Sequence, residues 1–81
     1  MIRIEKSVRE KPETVLDEAA SRFGPEGLGL TISEKQETCV ELTGGGGFIS
    51  VTACENDNRT QVELTSREWD EQAKAFMAGL R

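Results

Sequence analysis

The nucleophile candidates in this sequence are two cysteines and several hydroxyls. The 81 residues include no histidine and no tyrosine, so the commonest general base and the commonest metal ligand are both missing. Cys39 and Cys54 match no zinc or thioredoxin-like spacing. A reactive thiol needs a nearby cation or helix N-terminus, and the nearest cation in sequence to Cys39 is Lys35. We therefore interpret both cysteines as reduced thiols packed in a covered interface, with redox chemistry as the alternative.

Four consecutive glycines, Gly44 to Gly47, have the composition of a loop that cradles phosphate. A phosphate-binding loop continues into Lys and Ser/Thr at the start of a helix, whereas here Phe48 opens a predicted strand. The run therefore predicts a mobile hairpin loop whose glycines supply positive φ angles. A site for an anion or for a close backbone contact is the alternative.

Two groups of carboxylates suggest further chemistry. The oxygen-rich stretch from Glu55 to Asn58 lacks the bidentate Glu and the Gly of a calcium loop, so it predicts a turn. Glu68, Asp70 and Glu71 have the residue types of an acid/base cluster. They also lie in the first turns of a predicted helix, where acids offset the helix dipole, and we favour that interpretation. No metal and no cofactor is expected.

Composition limits the partners and the location. The chain has 15 acidic and 10 basic residues and a net charge of −5, which argues against binding to nucleic acid or to an anionic membrane. The charged N-terminal stretch leaves no apolar region for a signal peptide, and no apolar run approaches 18 residues. We expect a single domain over residues 1–81, located in the cytoplasm.

Periodicity predicts seven elements. Alternation at Ile2 to Glu5 indicates a strand, and the apolar stripe from Val15 to Phe23 indicates a helix that begins at Pro12. Alternation over 28–65, broken by three short turns, indicates a four-strand antiparallel meander. Thr65 to Glu68 fits a capping box that starts a second helix. The predicted fold is α+β, in the order β-α-β-β-β-β-α, with a five-strand antiparallel sheet and both helices on one face.

The element order, together with residues 8–23 and 62–80, resembles a minimal helix-grip or TATA-binding-protein-like fold, which includes the polyketide-cyclase and lipid-transfer superfamily. The first stretch is similar to that superfamily's strand-to-helix entry, with a Pro ahead of an apolar stripe. The second is similar to its last strand running into the C-terminal helix. The resemblance implies a sheet gripped by the closing helix and a small apolar ligand as a candidate partner.

Two candidate sites follow. Trp69, Phe76 and Met77 share one face of the second helix and are candidates to line an apolar ligand site at its seam with the sheet, although helical spacing is more typical of core residues. The second site is a homodimer interface on the polar sheet face, which is poor in Lys. Its candidate residues are Phe48, Cys39, Glu41, Thr43 and Ser50. The leading hypothesis is a non-enzymatic binding or assembly module that self-associates through this face or a sheet edge. Small-ligand binding is the alternative, and an enzyme is third.

Overall fold

The computed structural model describes all 81 residues and confirms the predicted α+β fold and element order. The strands and helices are β1 (Ile2–Val8), α1 (Pro12–Phe23), β2 (Thr31–Lys35), β3 (Cys39–Gly44), β4 (Gly47–Asn56), β5 (Arg59–Arg67) and α2 (Asp70–Gly79). None of the helices is long and apolar enough to cross a lipid bilayer.

The five strands form one antiparallel sheet in the order β1-β5-β4-β3-β2. Two-residue turns, Gly45–Gly46 and Asp57–Asn58, join β3 to β4 and β4 to β5, and all four residues have positive φ. Such turns match the right-handed twist of the flanking strands. Because β1 and β2 lie at opposite edges, α1 must carry the chain across one face of the sheet.

Both helices cover that face and enclose the core. Helix α1 packs on β3 and β4, and α2 packs on β1 and β5. Seventeen apolar side chains are buried between the helices and the sheet. Phe23 of α1 meets Phe76 of α2 edge to face, with ring centroids 5.1 Å apart. This geometry is favoured by the ring quadrupoles and links the two helices directly.

The predicted capping box is wrong about where α2 begins. Thr65 lies inside β5, opposite Ser50 of β4 and Arg3 of β1, and the strand continues to Arg67. Pairing with strands on both sides gives the backbone groups of this segment hydrogen-bond partners. The first N–H groups of a helix that began here would have had no such partners within the helix. The chain then reverses at Glu68, whose φ is +73°, and α2 starts at Asp70.

Strand β2 also differs from the predicted alternation. The strand begins at Thr31, and Leu28 lies outside it as an exposed side chain. A β-bulge between Ile32 and Glu34 then shifts the register by one residue. The bulge turns Glu34 toward the face away from the helices and Lys35 toward α1, where it pairs with Asp17 at 3.2 Å.

Candidate functional site

The sheet face opposite the helices is not covered by any element of the chain, and we call it the open face. Register and burial place alternate residues of every strand on it. The open face consists of Arg3, Glu5 and Ser7 (β1), Arg59, Gln61, Glu63, Thr65 and Arg67 (β5), Phe48, Ser50, Thr52 and Cys54 (β4), Cys39, Glu41 and Thr43 (β3), and Thr31 and Glu34 (β2).

The five predicted interface residues lie together on this face, on the neighbouring strands β3 and β4. Phe48 stands opposite Thr43, Ser50 opposite Glu41, and Thr52 opposite Cys39. Strand β4 is the middle strand of the sheet, so these side chains form the centre of the open face.

No outward side chain of β4 carries a charge between residues 48 and 54. Phe48, Ser50 and Thr52 are already half-buried by their neighbours on β3 and β5. Only small polar groups and one aromatic ring would lose water if another molecule covered this strand. Desolvation is therefore much less costly here than on a surface of Lys and Glu.

The charges of the open face are divided between its two sides. On the β1–β5 side, Arg3 pairs with Glu63 at 2.7 Å and with Glu5 at 3.4 Å. On the β2–β3 side, Glu34 stands directly opposite Glu41, and neither carboxylate has an ion-pair partner. Like charges directly opposite each other on neighbouring strands are destabilising.

Arg59, Arg67 and Glu34 of the open face were missed by the sequence analysis, which assigned Arg59 to the turn before β5. Arg67 was assigned to the second helix, and the structure places it on β5 opposite Phe48, without an ion pair. Glu34 was assigned to a turn, and the bulge in β2 brings it to the open face. The sequence signal for Arg67 is the alternation of outward residues, which continues from Gln61 through Thr65 to Arg67.

The two cysteines are both free. Cys39 faces Thr52, and the hydrogen bond from Ala53 N to Thr38 O at 2.9 Å extends that register, so Cys54 is a diagonal neighbour of Cys39. Diagonal neighbours lie about 7–8 Å apart, beyond the reach of a disulfide without backbone movement. Cys54 is exposed and Cys39 is half-buried.

The predicted ligand site does not coincide with a cavity. Phe76 and Met77 are each 2% exposed and belong to the core. Of the surface clefts, of about 270 to 470 Å³, none is lined by Trp69, Phe76 or Met77. The most apolar cleft, about 270 Å³, lies between the end of α1 and α2 and is lined partly by Phe23 and Leu28.

Trp69 instead holds the glycine hairpin in place. Its indole Nε1 donates a hydrogen bond to Gly44 O at 3.0 Å. The ring lies so close to Gly45 that a Cβ atom there would sit 2.8 Å from it. At Gly47 a Cβ atom would meet Arg67 O at 2.0 Å. The run of glycines forms the predicted hairpin, with positive φ at Gly45 and Gly46, and it makes close contacts with Trp69 and with Arg67.

The carboxylates at the start of α2 do not form an acid/base pair. Asp70 is the first helical residue, and its Oδ2 lies 3.9 Å from the amino group of Met1. Asp70 and Glu71 occupy the first turn, where negative charge offsets the helix dipole. No group of three or more Cys, Asp or Glu side chains is placed to hold a metal ion.

No protein-family model, no curated protein and no solved structure matches this chain.

Proposed function

We propose that this protein is a non-enzymatic assembly module that forms a homodimer through its open face. The observation that carries the proposal is the uncharged outward side of β4, with Phe48 half-buried at one end of it. A centre without charge surrounded by charged residues is the arrangement typical of protein–protein interfaces.

The size of the face supports this proposal. Five strands spaced about 4.8 Å apart and paired over roughly six residues cover on the order of 500 Å² in projection. Protruding side chains make the accessible area larger than the projected area. Two such faces reach about 1,200 Å² in total, the lower limit for a specific interface.

The open face is a better candidate than a sheet edge. All five residues of β2 are exposed, but its bulge interrupts the row of backbone groups that another strand would need, and Glu34 and Lys35 add charge. Bulges and charges are the features by which natural edge strands avoid pairing. The second strand edge, on β1, carries Arg3 and Glu5.

Two further expectations belong to the same proposal. A location in the cytoplasm is supported by the two free thiols. The relation to the helix-grip architecture is supported by the element order, a strand and a helix followed by a meander and a closing helix. Binding of a small apolar ligand near Trp69 is not proposed, because no cavity is present there.

The experiment compares two substitutions of exposed or half-buried apolar residues by Glu. Phe48→Glu places a charge on the middle strand of the open face, and Leu28→Glu places one on a 40% exposed side chain outside that face. Light scattering at tens of micromolar should give one chain for Phe48→Glu and two chains for Leu28→Glu. Urea melts establish that both variants fold. A folded Phe48→Glu variant that stays dimeric would remove the proposal.

A further inference from the structure

Among the charges of the open face, Arg67 and the two facing carboxylates Glu34 and Glu41 have no ion-pair partner within the chain. Arg59 has none either, but its guanidinium donates hydrogen bonds to the Ser7 hydroxyl and carbonyl oxygens. Arg67 and the two carboxylates lie on opposite sides of β4, with Arg67 one strand away on β5, Glu41 one strand away on β3 and Glu34 on β2. They also lie toward the same end of the sheet. Arg67 shares a cross-strand row with Phe48 and Thr43, and Glu41 is two residues along β3 from Thr43.

We infer that the twofold axis of the dimer runs along β4, so that Arg67 of each copy meets the Glu34–Glu41 pair of the other. This inference rests on the proposed dimer and adds its geometry and its charge contacts. Two faces packed against each other by a twofold axis require that axis to lie in the interface. An axis along β4 lays β4 on β4, β5 on β3 and β1 on β2.

This axis relieves the like-charge contact that the monomer contains. Arg67 lies over Thr43 of the second copy, and its long side chain reaches the neighbouring Glu41. Arg3 lies over Glu34 of the second copy in the same way. A guanidinium placed between two facing carboxylates converts repulsion into charge-assisted hydrogen bonds.

The second orientation that keeps the strands of the two copies aligned has the twofold axis perpendicular to the strands, and it brings like charges together. An axis perpendicular to the strands would lay β3 on β3 and β2 on β2, so that the Glu34–Glu41 pair would approach its own copy. No cation of β2 or β3 points to the open face, because Lys35 turns toward α1 and pairs with Asp17. Like-charge contacts of this kind disfavour an interface.

A charge-reversal cycle tests the contact. Arg67→Glu and Glu41→Arg should each weaken dimerisation tenfold or more, measured by sedimentation equilibrium, and the double variant should recover most of that loss. The cycle isolates the pairwise coupling from effects on the monomer. A double variant whose loss of dimerisation free energy equals the sum of the two single losses would overturn the inference while the dimer itself remains.

Crosslinking tests the axis independently. On an axis along β4, residues of β4 meet their own copies about 10 Å apart, the spacing of packed sheets. A bis-maleimide with a reach of about 8 Å should therefore join the C39S variant, whose thiol is Cys54, and the C39S/C54S/S50C variant. In the C54S variant the remaining thiol is Cys39 of β3. The Cys39 thiols of the two copies would be displaced sideways from each other by two strand spacings, so the reagent should not crosslink them.

The outcomes separate the two proposals. Dimers crosslinked through both Cys54 and position 50, but not through Cys39, support the axis along β4. Dimers crosslinked through only one of those two positions, or through Cys39, contradict the axis and leave the proposed function standing. A wild-type protein that is monomeric at tens of micromolar contradicts the proposed function and the inference together.

Discussion

Trp69 connects the start of α2 to the glycine hairpin. The ring packs on Gly45 and its Nε1 donates to Gly44 O, so Trp69→Ala removes both packing and a hydrogen bond. The indole is only half-buried, so we expect a loss of about 3 kcal/mol in the free energy of unfolding, at the lower end for large aromatic truncations. Trp69→Phe keeps a ring and should lose about 1 kcal/mol. Urea melts measure both, and a Trp69→Ala variant within about 1 kcal/mol of wild type would contradict this role.

Lys6 caps the C-terminal end of α2. Its Nζ donates to Met77 O at 2.9 Å and to Leu80 O at 2.8 Å, at the C-terminal end of the helix, where the helix dipole is negative. Lys6→Met keeps the aliphatic stem and should cost about 2 kcal/mol of unfolding free energy. Lys74→Met, which removes an exposed ammonium 3.8 Å from Glu71, is the matched control and should cost less than about 0.5 kcal/mol. Equal losses in the two variants would show that Lys6 does not act as a cap.

Glu18 gives the stability a pH dependence. Burial raises the pKa of the Glu18 carboxyl, and the neighbouring Glu10 raises it further through a hydrogen bond and its charge, while Arg22 opposes the shift. A carboxyl whose pKa is higher in the folded state favours folding at low pH, and that contribution is lost as the pH rises from the ordinary glutamate value through the folded one.

Replacing Glu18 by Gln should therefore make the protein more stable than wild type at neutral pH. The difference should shrink as the pH falls from the raised folded-state pKa toward the ordinary glutamate value of about 4.3, and it should be lost well below that value, where both proteins are uncharged at this position. Urea midpoints of the two proteins across the acid range measure the difference. A Glu18→Gln variant that is less stable than wild type at neutral pH would show that the carboxylate is favourable in the fold.

At the scale of the elements, the β3–β4 hairpin shows two different reasons for glycine, and Gly79 of α2 is a control to which neither applies. A Cβ atom at Gly47 would meet Arg67 O at 2.0 Å, so Gly47→Ala should cost more than about 3 kcal/mol. Gly46 has open space but a φ of +82°, and alanine there should cost about 1 kcal/mol. Gly79, in α2 with open space and no positive φ, should gain about 0.5 kcal/mol as alanine. Thermal melts should rank the variants in this order, and a mild Gly47→Ala would contradict the close approach.

The sequence predicted the helices and strands best where one period governs a whole segment. Val15, Leu16, Ala19 and Phe23 are all buried, as the helical stripe of α1 indicates. The alternation of Ile49, Val51 and Ala53 likewise gives the buried side of β4. In both cases burial against the other layer and local periodicity select the same conformation.

The errors fall where tertiary pairing overrides a local signal. Thr65 to Glu68 has the composition of a capping box, but Thr65 pairs with strands on both sides, and a sheet ladder stabilises it more than a single cap. The bulge in β2 depends on the strand beside it, so nothing in the alternation near Ser33 reveals it. These two errors are also why Arg67 and Glu34 were absent from the predicted interface.

At the scale of the whole molecule, the helices cover one face of the sheet and leave the other face without a covering element. The helices bury apolar residues of β1, β3, β4 and β5, while the open face has Phe48 and a row of small polar side chains along its middle strand. A chain of 81 residues has little stability to spare, so covering this face with a second copy also stabilises the fold by mass action.

Sedimentation equilibrium of the wild-type protein at tens of micromolar is the measurement that tests this account most directly. Self-association through the open face predicts a mass of twice the 8.9 kDa chain, with dissociation toward single chains on dilution. A mass of 8.9 kDa throughout that concentration range would contradict the central claim that the open face is a dimer interface.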